Sequence, residues 1–173
     1  MEKIVPPSAG EPRRPLGPRD PGDAWVEGER GRFWGRFGSA GLLVHDEQKG
    51  VLLQHRATWS DHGGTWGLPG GALHQGEDAV TGALREALEE AAVPEQNVKV
   101  LFTSVFDVGY WSYTTVAARV LEPFEPAISD PESIELRWIP LDEVAGVDLH
   151  PSFAASWPEL RGRLLNGSGA GEV

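Results

Sequence analysis

Apolar positions fall in short blocks through the middle of the chain and switch once to a helical period. Residues 38–45 (GSAGLLVH) and 51–55 (VLLQH) are apolar runs separated by Asp46-Glu47-Gln48-Lys49-Gly50, which predicts two strands around a turn. A glycine-rich loop follows over residues 60–71 and closes with GLPGG. From Asp78 to about Ala92, the residues Val80, Ala83, Leu84, Ala87, Leu88 and Ala91 recur at intervals of three and four, which predicts an amphipathic helix. Residues 98–108 and 111–121 are rich in β-branched and aromatic side chains and predict strands, with a further short strand at 134–139. Helices are expected near 141–144 and over 153–165. Strands with helices between them, and one strongly amphipathic central helix, predict an α/β sandwich.

The two ends break this pattern. Six of the 14 prolines lie between Pro6 and Pro21, and residues 1–23 hold few apolar side chains. Such a segment buries little, so 1–23 is expected to be a flexible, extended arm. Its stiffness would suit docking on a second subunit, and a homodimer is the expectation that follows. Residues 166–173 (NGSGAGEV) are expected to be a flexible tail. That leaves residues 24–165 as one domain, a size that can bury a core.

Charge and composition narrow the function. The 173 residues carry 26 acidic and 15 basic side chains, a formal net charge of -11. This opposes sequence-independent binding of a long nucleic acid, which requires a basic surface. A small nucleotide stays compatible if a cation mediates the contact. The absence of cysteine removes disulfides, zinc-thiolate sites and thiol nucleophiles together. No apolar run approaches the roughly 20 residues of a membrane span, and the N-terminus lacks the apolar stretch of a secretory signal, so a cytoplasmic protein without a membrane partner is expected.

The central helix carries the candidate chemistry. Glu86, Glu89 and Glu90 are spaced i, i+3, i+4 and share one face, with Arg85 beside them and Gly82 one turn earlier. A mid-helix glycine costs about 1 kcal/mol relative to alanine, and close approach of a ligand to the backbone is one reason to keep it. At about 6 Å and an effective dielectric near 20, each carboxylate pair repels by roughly 3 kcal/mol. A solvated helix face tolerates such a cluster. A divalent cation explains it more sharply, and oxygen-only ligands suit magnesium or manganese.

The spacing around the cluster favours the cation. Gly71 is followed by five residues and Glu77, then seven residues, Arg85-Glu86, and Glu89-Glu90. The segment GALHQGEDAVTGALREALEEAAV, from Gly71 to Val93, resembles the Nudix box, and the lead-in TWGLPGG resembles what precedes it in that family. Ala92 replaces the family's last glycine, a position that ends the helix in a left-handed conformation costing alanine about 1 kcal/mol. The resemblance implies a Nudix-type α/β/α sandwich with a mixed central sheet. It also implies roles. Glu86 and Glu90 would be the main metal ligands, joined by Glu89 and the backbone carbonyl of Gly70. Glu89 would otherwise act as the base on the attacking water. Arg85 would orient Glu86 and pair with Glu77. Glu132 is the counterpart of a further catalytic carboxylate in a late loop, with Glu135 the alternative. Arg56 matches an arginine that contacts nucleotide phosphate, and Gly71, Trp66 and Tyr110 complete the expected substrate contacts. His62, Trp59 and Trp111 are weaker candidates for the pocket.

The implied activity is magnesium-dependent hydrolysis, with manganese as substitute, of a diphosphate linkage between a nucleoside and another group. A non-catalytic nucleotide-sensing module of the same fold is the alternative, but such modules have an eroded box, and here the charged positions are whole. The asparagine with which members that cleanse oxidised guanine nucleotides often read the base near the last helix is absent from LHPSFAASW, which lowers that reading and leaves ADP-ribose, dinucleoside polyphosphates and plain nucleoside triphosphates as substrates.

Overall fold

The computed structural model describes residues 3–5, 20–56, 62–128 and 133–170. The chain runs β1 (Lys3–Val5), β2 (Trp25–Gly28), β3 (Gly31–Trp34), β4 (Ser39–Asp46), β5 (Gly50–Arg56), β6 (Trp66–Gly67), β7 (Gly70–Ala72), α1 (Ala79–Ala91), β8 (Val98–Asp107), β9 (Ser112–Val120), β10 (Ser133–Ile139) and α2 (Pro151–Ala170). The main sheet has the order β10-β5-β4-β9-β8, with β6 added on β5 and β7 on β4. β4 and β9 pair in parallel and the other pairs are antiparallel, so the sheet is mixed, as expected.

Alternation along the central strands sorts side chains into two layers. Leu42 and Val44 of β4, Leu52 of β5, and Val116 and Ala118 of β9 face α1, where they meet Ala83, Ala87 and Ala91. Leu43, Val51, Leu53 and Ala117 face the other way and pack with Phe153, Trp157, Leu160 and Leu164 of α2. Strands buried on both faces read as continuous apolar runs, which is why GLLV and VLL show no polar alternation. The alanine stripe of α1 lets its backbone approach the sheet closely. The result is the three-layer α/β/α sandwich.

Most predicted boundaries lie within a residue or two of the observed ones, the usual scatter of element ends. Four regions differ. The hairpin β2–β3, which pairs Trp25 with Trp34 and Val26 with Phe33, is not legible from the proline-rich composition around it. Within the expected arm, Lys3–Val5 pair antiparallel with β2, and Asp20 accepts hydrogen bonds from the backbone N–H groups of Gly22 and Gln75 at 2.8 and 3.0 Å. The helix expected at 141–144 is a single 3₁₀ turn, Val144–Gly146. In the expected tail, α2 runs past Leu165 to Ala170, because adding a residue to an existing helix needs no new nucleus.

Helix α1 has a defined start and stop. The Asp78 side chain caps the N-terminus by accepting from the Thr81 N–H at 2.8 Å. Ala92 closes the other end at φ 56°, ψ 37°, the left-handed conformation that the family's glycine suits better. Ala92→Gly is therefore expected to stabilise the fold by up to about 1 kcal/mol. That corresponds to a rise in melting temperature of about 2–4 °C for a domain of this size. Thermal unfolding by circular dichroism checks it, and a fall would show that the strain is relieved elsewhere.

Candidate active site

The site forms where the GLPGG loop passes beneath α1. β7 pairs with the first half of β4, placing Gly70 opposite Gly41 and Gly71 opposite Ala40. A Cβ at Gly70 would overlap the backbone of Ala40 and Gly41. A Cβ at Gly71 would lie 2.7 Å from Glu86 Oε2. Glycine at both positions thus brings strand and carboxylate into contact.

Glu86 and Glu90 occupy adjacent turns on the sheet-facing side of α1. They are 3% and 1% exposed, an unusual depth for carboxylates. Gly70 N–H donates to Glu90 Oε1 at 3.0 Å. Glu89 stands at the rim, with its side chain 44% exposed. Arg85 binds the surrounding groups together. Its Nε and Nη2 donate to Glu77 Oε2 and Oε1 at 2.8 and 2.9 Å, a two-pronged contact. Nη1 reaches Glu86 Oε2 at 3.1 Å and Glu89 Oε1 at 3.3 Å, and Nη2 also donates to the Ala72 carbonyl at 3.2 Å. The His74 N–H donates to Glu77 Oε1 at 2.9 Å, so one carboxylate pins the loop to the helix.

These contacts shift protonation. The Arg85 hydrogen bond holds the Glu77 carboxyl below its ordinary value against the opposing effect of burial, and the His74 N–H adds to it. Burial alone would make Arg85 less basic, but its bond to Glu77 and the charges of Glu86, Glu77 and Glu89 hold its pKa above the ordinary value. One guanidinium thus serves three carboxylates, and the buried Glu90 lies next to them. Taking carboxylates out of water is costly unless charge is compensated.

A hard cation fits this donor set. The carboxylates of Glu86 and Glu90 are buried on adjacent turns, and Gly71 leaves room for Glu86. Among the described residues, no three His, Asp or Glu side chains converge tightly enough to hold a metal by themselves. A site of this kind is completed by carbonyl, water and phosphate oxygens, which suits magnesium better than zinc.

The remaining candidates are more dispersed. Gly82 does not open the helix to a ligand. A Cβ there would meet the Leu73 side chain and lie 3.0 Å from Glu77 Oε1, so this glycine makes room for the loop. Arg56 ends β5, opposite Ser133 of β10. Trp66 is buried in the α2 layer, with His55 stacked on it at 4.5 Å and the Arg137 guanidinium 5.2 Å from its centroid. Tyr110 packs on the β2–β3 hairpin, donating to the Gly31 carbonyl at 2.8 Å and accepting from the Arg30 N–H at 3.0 Å. Trp111 stacks on Phe33 at 4.3 Å in the same cluster. The His62 ring meets that of His150 edge-on at 4.5 Å. Glu135 lies in β10 and pairs with Arg137 at 2.7 Å. Glu132 and Trp59 lie outside the described residues.

One residue was not anticipated from the sequence. The Tyr113 hydroxyl sits against Gly41, where a Cβ would collide with it. Burial pushes its phenol up, and Arg56, Glu90 and Glu86 are the charged groups that act on it. The pairing of a glycine in β4 with a tyrosine in β9 becomes visible only once those strands are known to be neighbours.

The sequence from residue 35 to 159 matches the NUDIX domain family. The chain belongs to the Nudix family. It is a hydrolase of the pyrophosphohydrolase type. It is 46% identical over 154 residues to a Mycobacterium tuberculosis protein named "Putative 8-oxo-dGTP diphosphatase 3", covering 83% of this chain and 70% of that one. It is 42% identical over 153 residues to a nucleoside triphosphate pyrophosphatase/Nudix hydrolase fusion protein of Bifidobacterium longum, of which it covers 32%, using 83% of its own length. Among solved structures, the Nudix hydrolase RenU of M. smegmatis is 46% identical and superposes with a TM-score of 0.77, over 84% of this chain and 96% of that one.

The Glu77–Arg85 pair gives the Nudix box a pH signature. Glu77 holds its proton less readily in the folded than in the unfolded chain. Its stabilisation is therefore complete above the ordinary glutamate value of about 4.3. It is lost as pH falls below that, through the lowered folded value. Glu77→Gln is expected to cost about 1–3 kcal/mol at pH 7, and clearly less at pH 3. Melting temperatures at the two pH values test this; an equal loss at both would mean that charge is not what the pair contributes.

Proposed function

We propose that the protein hydrolyses the diphosphate linkage of a small nucleotide with magnesium as its cation and manganese as substitute. Glu86, Glu90, Glu89 and the Gly70 carbonyl are the groups that hold the cation. When bound, it supplies neutralisation of phosphate oxygens and a more acidic water. The residues of the chain divide the remaining work. Arg85 keeps Glu86 and Glu89 oriented, as a support outside the ligand set must do. Glu89, at the exposed rim of the helix, takes the proton from the attacking water, and Glu132 is the alternative base. Arg56 grips a substrate phosphate, and Gly71, Trp66 and Tyr110 complete the substrate contacts.

The observation that carries this reading is the burial of Glu86 and Glu90 against Gly70 and Gly71, inside a Nudix box whose charged positions are all present. A purely solvated helix face would keep its carboxylates in water. The protein's net charge of -11 is compatible with an anionic substrate because a cation inverts the charge at the site. For the nucleotide, the likeness to the M. tuberculosis protein favours a purine nucleoside triphosphate, and 8-oxo-dGTP is the first compound to test.

Glu90→Gln is expected to lower kcat at least about a hundredfold, because an amide is a poor ligand for a hard cation. Glu47→Gln, on the β4–β5 turn, is expected to leave it unchanged. Pyrophosphate release from 8-oxo-dGTP and dGTP in magnesium measures both. Removing the metal with a chelator should abolish turnover while the circular dichroism spectrum stays the same, because two apolar layers hold the fold. Equal rates for both variants, or full activity in chelator, would refute the reading.

A further inference from the structure

Gln54 is a polar residue in an otherwise apolar stretch of β5, and it is only 3% exposed. Its side of the sheet follows from its neighbours. Leu52 packs in the α1 layer, whereas Val51 and Leu53 pack in the α2 layer. Alternation therefore puts Gln54 on the α1 side, the side on which Glu86 and Glu90 are buried. Gln54 lies between Leu136 of β10 and Gly67 of β6. Gly67 begins the GLPGG segment, whose Pro69 carbonyl accepts the Leu42 N–H and whose Gly70 N–H is held by Glu90.

The Oε1 of Gln54 has no hydrogen-bond partner among the described residues. A buried acceptor left in that state is destabilising, and such groups call for an explanation. Donors exist in this part of the fold, the Trp138 indole N–H, the Arg56 guanidinium and the Tyr113 hydroxyl among them, but none of them bonds to Gln54 Oε1. Ionised Glu86 and Glu90 only accept. What completes Gln54 must donate a hydrogen bond, must fit a buried position, and must be stable on the sheet face where Glu86 and Glu90 are buried. A water bound to a divalent cation meets all three conditions. Its protons are made strong donors by the ion, and magnesium keeps several of its waters.

We propose that Gln54 is a positioning residue of the cation site, whose Oε1 accepts a hydrogen bond from a cation-bound water and fixes that water's orientation. The proposal rests on the metal-dependent reading above and adds to the ligand set a residue from a strand outside the Nudix box.

The test is manganese binding to the full chain without nucleotide, by electron paramagnetic resonance or calorimetry, alongside melting temperatures with and without the ion. Gln54→Met keeps the side-chain volume and removes the acceptor. It is expected to leave the metal-free melting temperature equal or higher, and to weaken manganese binding at least fivefold. Gln54→Glu keeps an acceptor and adds a buried charge. It is expected to lower the metal-free melting temperature and to bind manganese within twofold of wild type or more tightly. A purely structural amide would give the opposite pattern for Gln54→Met, with lower metal-free stability and unchanged manganese affinity, and that result overturns the proposal. If Gln54→Met does not fold, Gln54→Glu decides: its manganese affinity must stay within twofold of wild type or exceed it, and a larger loss overturns the proposal. Wild type that binds no manganese would overturn the metal reading and this proposal together. Wild type that binds it while Gln54→Met binds equally well overturns the role of Gln54 alone.

Discussion

The contact between Arg85 and Glu77 is the constraint on which the site depends. Two short hydrogen bonds join a helix side chain to the loop that precedes the helix. The same guanidinium holds the Ala72 carbonyl at the end of β7, and the same carboxylate holds the His74 N–H. The loop is thereby fixed at both ends against α1. With the loop fixed, Gly71 lies under Glu86 and Gly70 under Glu90. A bidentate contact with fixed fork geometry can set such positions to within tenths of an ångström, where a lysine in place of Arg85 would supply only a point charge.

The strand register does the complementary work from below. β4 is shared by two partners along one edge, with β7 on its first half and β5 on its second. The split leaves the GLPGG segment beside the sheet and directly under the helix. Three polar positions belong to the sheet around this split: Gln54 and Arg56 on β5 and Tyr113 on β9. None lies in the Nudix box. Motif residues supply the charge, and the sheet supplies the surface against which it is oriented.

Much of this was readable from the chain. The helix from Asp78 to Ala92 and the central strands were expected from period, the helix's left-handed end and the Arg85–Glu77 pairing were implied by the resemblance to the Nudix box, and the structure has all of them. Most of the features that were not legible depend on contacts outside the local sequence pattern. The hairpin β2–β3 is stabilised by Tyr110 and Trp111, some 80 residues away. Gly82 has the local appearance of a ligand approach, but the space beside it belongs to Leu73 and Glu77. Tyr113 and Gly41 meet only because β4 and β9 run parallel side by side. Composition also did not point to the pairing of Lys3–Val5 with β2. Proline content describes local stiffness, and says nothing of the edge of β2 with which Lys3–Val5 pair.

The energetics of the site run against those of the two apolar layers. Packing of leucine, valine and alanine on both faces of the sheet stabilises the fold at about 25 cal/mol per Å² of buried apolar area. Glu86 and Glu90 are buried at the margin of one of these layers, and ionised carboxylates there are unfavourable without compensation. Arg85 offsets part of that cost, and its own pKa is raised as a result. In the function proposed above, a cation would offset the remainder, since an ion that binds the folded chain alone lowers its free energy. A site fully neutralised by a second arginine would make a more stable protein and a poorer enzyme.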